Sequence, residues 1–199
     1  MKGKRLRIRP MAFVLLLWML LTDRGGIALL TLAAAILHEG GHIVAAMAMR
    51  IPLRELRIDF PGARLDVCGR VLSFGEEWIL CAAGPLSSLL LSLLACPLWR
   101  FSSHFLTFSC VSLLLGLLNL LPIRTFDGGR MLECFLIACF SERVSRGVMR
   151  ACTVVLLFLL WAISAYFLLR VGDGLSLFCF SMSLFWGMLD ERAEGDFFN

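Results

Sequence analysis

The chain has 199 residues, 59% of them hydrophobic and 17% charged, whereas soluble domains carry roughly 45–50% apolar and about 25% charged residues. A soluble globular domain is excluded, and an integral membrane protein with room for about six spans is implied. The formal net charge of +4 raises nucleic-acid binding, which the distribution of that charge argues against.

Apolar runs occupy residues 11–22, 26–49, 77–98, 104–121, 149–169 and 174–189, and each is expected to form a membrane-spanning helix. The segment Met1 to Pro10 is basic, like the start of a signal peptide. No small-residue cleavage site follows run 1, only Thr22-Asp23-Arg24-Gly25-Gly26. A short, retained first span is therefore expected.

The basic residues alternate between the two faces of this frame. Five of the Lys and Arg precede run 1. Five more (Arg50, Arg54, Arg57, Arg64, Arg70) follow run 2, and a third five (Arg124, Arg130, Arg143, Arg146, Arg150) follow run 4, with Arg192 in the tail. The opposite face holds Arg24, Arg100 and Arg170. By the positive-inside rule both termini are cytoplasmic. The basic balance then reports topology, and no nucleic-acid partner is expected.

The connector 51–75 has another texture. Leu56 to Phe60 alternates in polarity, Pro61-Gly62 reads as a turn, and Ala63 to Val67 alternates again. A small β-hairpin at the cytoplasmic face of the membrane is expected, with a plain loop as the alternative. The fold class is thus all-α, six transmembrane helices with a membrane-associated hairpin between helices 2 and 3. The eight cysteines include no C-x-x-C pair, and Cys81, Cys96, Cys110, Cys152 and Cys179 lie within apolar runs. They read as buried reduced thiols rather than disulfides or metal ligands.

Chemistry is concentrated in run 2, where an uncharged stretch from Ile27 to Leu37 meets His38-Glu39-Gly40-Gly41-His42. Two histidines four apart share one helix face, so both imidazoles can reach one ion. Glu39 points beside that ion and suits a general base. Neutral imidazoles suit Zn²⁺, which brings the pKa of a bound water toward about 7, and the carboxylate takes the proton. An ionisable side chain at mid-membrane costs roughly 2.5 kcal/mol or more, so such residues carry function by default. Gly40 and Gly41 let a substrate backbone or a neighbouring helix come close.

Catalytic zinc takes three protein ligands and leaves a fourth position open. Candidates for the third are His104, Glu133, Glu76, Glu77 and Asp127, the last in Asn119-Leu-Leu-Pro-Ile-Arg-Thr-Phe-Asp127-Gly128-Gly129. Pro122 breaks the helix there, and the paired glycines free the backbone after the carboxylate. Depth favours Asp127. His42 precedes Arg50 by eight residues, about 12 Å from the inner end of its helix, and run 4 also ends inside. The alternative role for Asp127 is N-cap of the next helix.

Together these residues resemble the site-2 protease family, the M50 metallopeptidases that cut proteins within the membrane. The resemblance rests on His38 to His42, on Ala83-Gly84-Pro85, and on Asn119-Leu-Leu-Pro122 leading to Asp127-Gly128-Gly129. Their order and the six-span frame agree, with the branch of the stage IV sporulation protease FB as the nearest. The resemblance implies His38, His42 and Asp127 as ligands of one Zn²⁺ per chain, Glu39 as catalytic base, and Asn119 as a contact for substrate or oxyanion. It implies a membrane-associated protein substrate (a sporulation pro-sigma factor, an anti-sigma factor or a signal-peptide remnant) in a bacterial cell membrane, with regulatory membrane proteins as further partners.

Three features depart from that pattern. Leu86-Ser87-Ser88 follows Gly84-Pro85 without the asparagine of many members, so no role transfers there. Arg124 and Thr125 stand where a second proline is common. No CBS nucleotide-sensing domain or PDZ domain is expected within these 199 residues. A catalytically silent zinc-binding regulator and a metal or proton transporter are the rival classes. Intact Glu39 argues against the first, and the lack of ionisable residues in the interiors of runs 5 and 6 and in the outer half of run 2 against the second.

Overall fold

The computed structural model describes residues 7–8, 23, 25–51, 53–59, 62–67, 72–171, 178–179 and 181–185. Run 1 and most of run 6 lie outside them. The described chain is mainly helical: α1 Ile27–Ala48, α2 Phe74–Ala95, α3 Ser103–Asn119, α4 Asp127–Cys139 and α5 Glu142–Val171, with a 3-10 turn at Cys96–Arg100. Three stretches, Ile27–Ala48, Phe74–Arg100 and Glu142–Arg170, are long and apolar enough to cross a membrane, and Ser103–Asn119 is a shorter apolar helix. Their outward faces carry large apolar side chains such as Val44, Met47, Leu86 and Leu93, as helices facing lipid do.

Helix ends follow local chemistry. Ahead of α1, Asp23 accepts from the backbone N–H of Ala28 at 2.7 Å and of Gly25 at 3.0 Å. The Ala28 bond above all holds its carboxyl below the usual carboxylate range. Ser73 and Glu76 form a reciprocal capping box at the start of α2, which satisfies two N–H groups that the first turn leaves unpaired. Glu76 is thereby engaged in a cap. Helix α3 stops at Asn119, and Pro122 follows as its breaker.

In the connector after α1, the backbone of β2 (Leu53–Asp59) pairs antiparallel with β3 (Gly62–Val67), Asp59 opposite Gly62. A two-residue strand β1, Arg7–Ile8, runs parallel to β2 on its other edge. Two helices start earlier or appear where none was expected. Helix α5 begins at Glu142, seven residues before the apolar run, and α4 is a further helix whose polar start hides it from a scan for apolar runs.

Helix α2 is the hub, packing against α1, α3 and α4. Its contact faces are built from small residues. Gly41 of α1 sits against Ala83 and Ser87, where an added Cβ would stand 2.7 Å from the Ala83 carbonyl oxygen. Gly116 of α3 sits against Pro85 and Ser88, and Ser92 and Ser109 share a hydrogen bond at 3.1 Å. Small residues permit close helix approach, and hydroxyl pairs satisfy polar groups where water is absent. Of the two glycines in the motif, Gly41 therefore serves helix packing, whereas a Cβ at Gly40 would meet nothing within 4 Å among the described residues.

Candidate metal centre

In α1 the buried stripe is Ala34, His38, His42 and Ala46, four-residue steps that keep one face toward α2. Both imidazoles are almost fully buried, and their rings meet edge to face with centroids 5.1 Å apart. Gly84 of α2 lies directly beneath them. A Cβ there would overlap His42 Nε2 and come within 2.8 Å of His38 Nε2. Any larger residue would displace the rings.

Asp127 arrives from the opposite side by way of the break after α3. The segment turns on short hydrogen bonds, Ile123 N–H to the Leu121 carbonyl and Phe126 N–H to the Ile123 carbonyl, both 2.8 Å. Ile123 and Phe126 anchor it in a core with Leu157 and Leu184, and Arg124 N–H donates to Thr153 Oγ1 of α5 at 3.2 Å. Non-helical backbone is thus buried in protein, the condition for its placement at membrane depth. Gly128 and Gly129 are helical and buried, and a Cβ on either would collide with the carbonyl of Leu120 or Ile123. Their contribution is the missing Cβ, which lets the loop lie on the first turn of α4, rather than the backbone freedom expected. Phe126 is the N-cap, with no side-chain cap, and Asp127 is the first helical residue. Its side chain is left to face the histidines.

It does so closely. Asp127 Oδ2 lies 3.2 Å from His38 Nε2 and 3.2 Å from His42 Nε2, and one ligand atom from each of the three residues lies within 4.8 Å of the others. Two atoms bound at about 2.0–2.1 Å to one tetrahedral Zn²⁺ stand about 3.3 Å apart, so both separations from Asp127 suit that ion, and two imidazoles with a carboxylate are donors it takes. The far side of each ring supports the fit. His42 Nδ1 donates to the Leu80 carbonyl at 2.8 Å, and His38 Nδ1 meets Ser88 Oγ at 2.9 Å. Such partners fix the ring orientation, and the Leu80 carbonyl leaves the lone pair of His42 on Nε2.

The other sequence candidates stand elsewhere. Glu77 of α2 accepts from Arg130 of α4 at 3.2 Å, Glu76 caps α2, and neither they, Glu133 nor His104 joins the ligand group. Glu39 is half-buried and one step, about 100°, round α1 from His38. Asn119 donates Nδ2 to the Leu115 carbonyl of its own helix at 3.0 Å. Sequence reasoning missed Leu80 and Ser88 as supports and gave Gly84 no task. Their signal is the spacing 80, 84, 88, which places a carbonyl, a gap and a hydroxyl along one face of α2.

Residues 95–163, which include Asn119 and Asp127, match the family model described as Peptidase family M50. Over that segment the chain resembles the M50 peptidases. Relatives include Rip3 of Mycobacterium tuberculosis, named as a candidate zinc metalloprotease, in both the Erdman and H37Rv strains. It is 30% identical over 141 residues, which cover 66% of this chain and 35% of Rip3. The chain thus aligns with about a third of the length of these curated relatives. Among solved structures, the site-2 protease of Methanocaldococcus jannaschii superposes with a TM-score of 0.64 at 19% identity, over 96% of this chain and 92% of that one. The two chains therefore share a fold, and the likeness to the M50 peptidases rests on sequence.

Proposed function

We propose that this chain is a zinc-dependent intramembrane endopeptidase that cleaves a membrane-associated protein near the cytoplasmic face. The observation that carries the reading is the convergence of His38 Nε2, His42 Nε2 and Asp127 Oδ2, with Glu39 beside them on α1. One Zn²⁺ held by these atoms would polarise the scissile carbonyl and make water nucleophilic near neutral pH.

The chain's own residues supply the remaining steps. The Glu39 carboxylate takes a proton from the attacking water and returns it to the leaving amine. Gly40, next to that base, meets none of the described residues where a Cβ would stand, so an extended substrate backbone can come alongside. Asn119 contributes to the developing oxyanion by releasing Leu115 and turning its amide toward the substrate. A transmembrane substrate hides its carbonyls in helical hydrogen bonds and must unwind first. The β2–β3 pair offers a place for the unwound segment to add as a strand, since β3 is an edge strand among the described residues.

The reading includes six spans with both termini in the cytoplasm of a bacterial cell, supported by the distribution of Lys and Arg. A pro-sigma factor of the sporulation type fits the substrate class. Glu39→Gln decides the central point, because it keeps the ligands and removes the base. Purified protein should retain zinc yet fail to cleave a co-expressed membrane substrate. Cleavage at the wild-type rate would end the proposal.

A further inference from the structure

The two imidazoles are held by unlike partners. The Leu80 carbonyl can only accept, so the ring proton of His42 is fixed on Nδ1 and Nε2 keeps its lone pair. Ser88 Oγ, facing His38 Nδ1 at 2.9 Å, can donate or accept. On the other side of the same ring, the Asp127 carboxylate stands 3.2 Å from Nε2 and competes for the single proton of the neutral imidazole. If the proton moves to Nε2, His38 presents a hydrogen where an ion needs a lone pair. Ser88 is 1% exposed and is closed over by α3, since a Cβ on Gly116 would lie 3.2 Å from Ser88 Cβ. That packing fixes the hydroxyl beside the ring.

We infer that Ser88 is a positioning residue: it accepts the Nδ1 proton of His38 and so holds the tautomer whose Nε2 can bind metal, setting the affinity of the centre. The inference rests on the zinc reading of His38, His42 and Asp127. It makes His38 the ligand whose hold is tunable, because its support is a side chain and that of His42 is backbone.

The test uses the full chain in detergent, comparing Ser88→Ala, Ser88→Thr and Ser92→Ala. Ser92 lies one turn further along α2, is buried, and bonds Ser109 rather than a histidine, so its variant reports loss of a buried hydroxyl alone. Zinc affinity is read by chelator competition. The tautomers are read by ¹⁵N NMR of histidine-labelled, metal-free protein, in which only His38, His42 and His104 contribute. Ser88→Ala should weaken zinc binding about 10–100-fold and move one histidine from the Nδ1–H to the Nε2–H form. Ser88→Thr should keep both properties, and Ser92→Ala should change neither. Wild-type affinity with unchanged tautomers in Ser88→Ala overturns the inference, as does an equal loss in Ser92→Ala. Failure of the wild-type chain to bind zinc would overturn the proposed function instead, and the metal-free spectra would still decide the role of Ser88.

Discussion

At the scale of residues, the motif His38 to His42 supplies the ligands and base of the proposed centre, but its geometry depends on one atom that is absent. Gly84 has no Cβ, and both Nε2 atoms occupy the space that one would fill. Gly84→Ala should therefore abolish stoichiometric zinc binding while α2 still forms, since alanine is the better helix former. Metal content by mass spectrometry, with helicity from circular dichroism, would check this. Retention of zinc would show that the rings can retreat. The paired histidines were readable because spacing on a helix is a sequence property. The supports at Leu80 and Ser88 were not, because a carbonyl looks the same at every position and one serine among many in an apolar helix carries no mark.

At the scale of elements, α4 shows how a carboxylate is delivered. Two forces fix its first turn. One is the close fit of Gly128 and Gly129 under the carbonyls of Leu120 and Ile123, and the other is the ion pair of Arg130 with Glu77, whose side chains are each about one-third exposed. Packing should dominate. Overpacking costs about 1–3 kcal/mol, whereas partly exposed ion pairs contribute about 0.2–1 kcal/mol. Gly129→Ala should thus destabilise more than Arg130→Ala in thermal unfolding, and it alone should remove zinc by shifting Asp127. The reverse order would make the ion pair the main tether. The break at Pro122 was legible as a breaker, and the glycines as notable. The helix beginning at Asp127 was hidden because its first turn is polar and its 13 residues are too few for a spanning pattern.

At the scale of the whole molecule, the centre ties α1 to α4 across the hub helix α2, so zinc should act as a cross-brace. An ion that binds only the folded state stabilises it by about 2.7 kcal/mol at a hundredfold excess over Kd. Chelation should accordingly lower the melting temperature of the wild type and leave Asp127→Ala unaffected. Topology is testable in parallel. Single cysteines placed in the Arg50–Arg70 connector should react with membrane-impermeant maleimide only in inverted vesicles, and a cysteine near Arg100 only in intact cells. The opposite labelling would invert the frame that sets both termini in the cytoplasm.

The sequence by itself determined that the chain is a membrane protein and that two histidines and a glutamate share one helix at zinc spacing, and it favoured Asp127 among the candidates for a third ligand. Those conclusions follow from composition and helical periodicity, which need no knowledge of neighbours. The tertiary structure alone decided that Asp127 Oδ2 stands 3.2 Å from both rings, that Gly84 makes room for them, and that Leu80 and Ser88 hold their far sides. Each of these is a contact between elements 38 to 89 residues apart in the chain. Contacts of that kind arise from how small residues let helices approach, which periodicity within one helix cannot express.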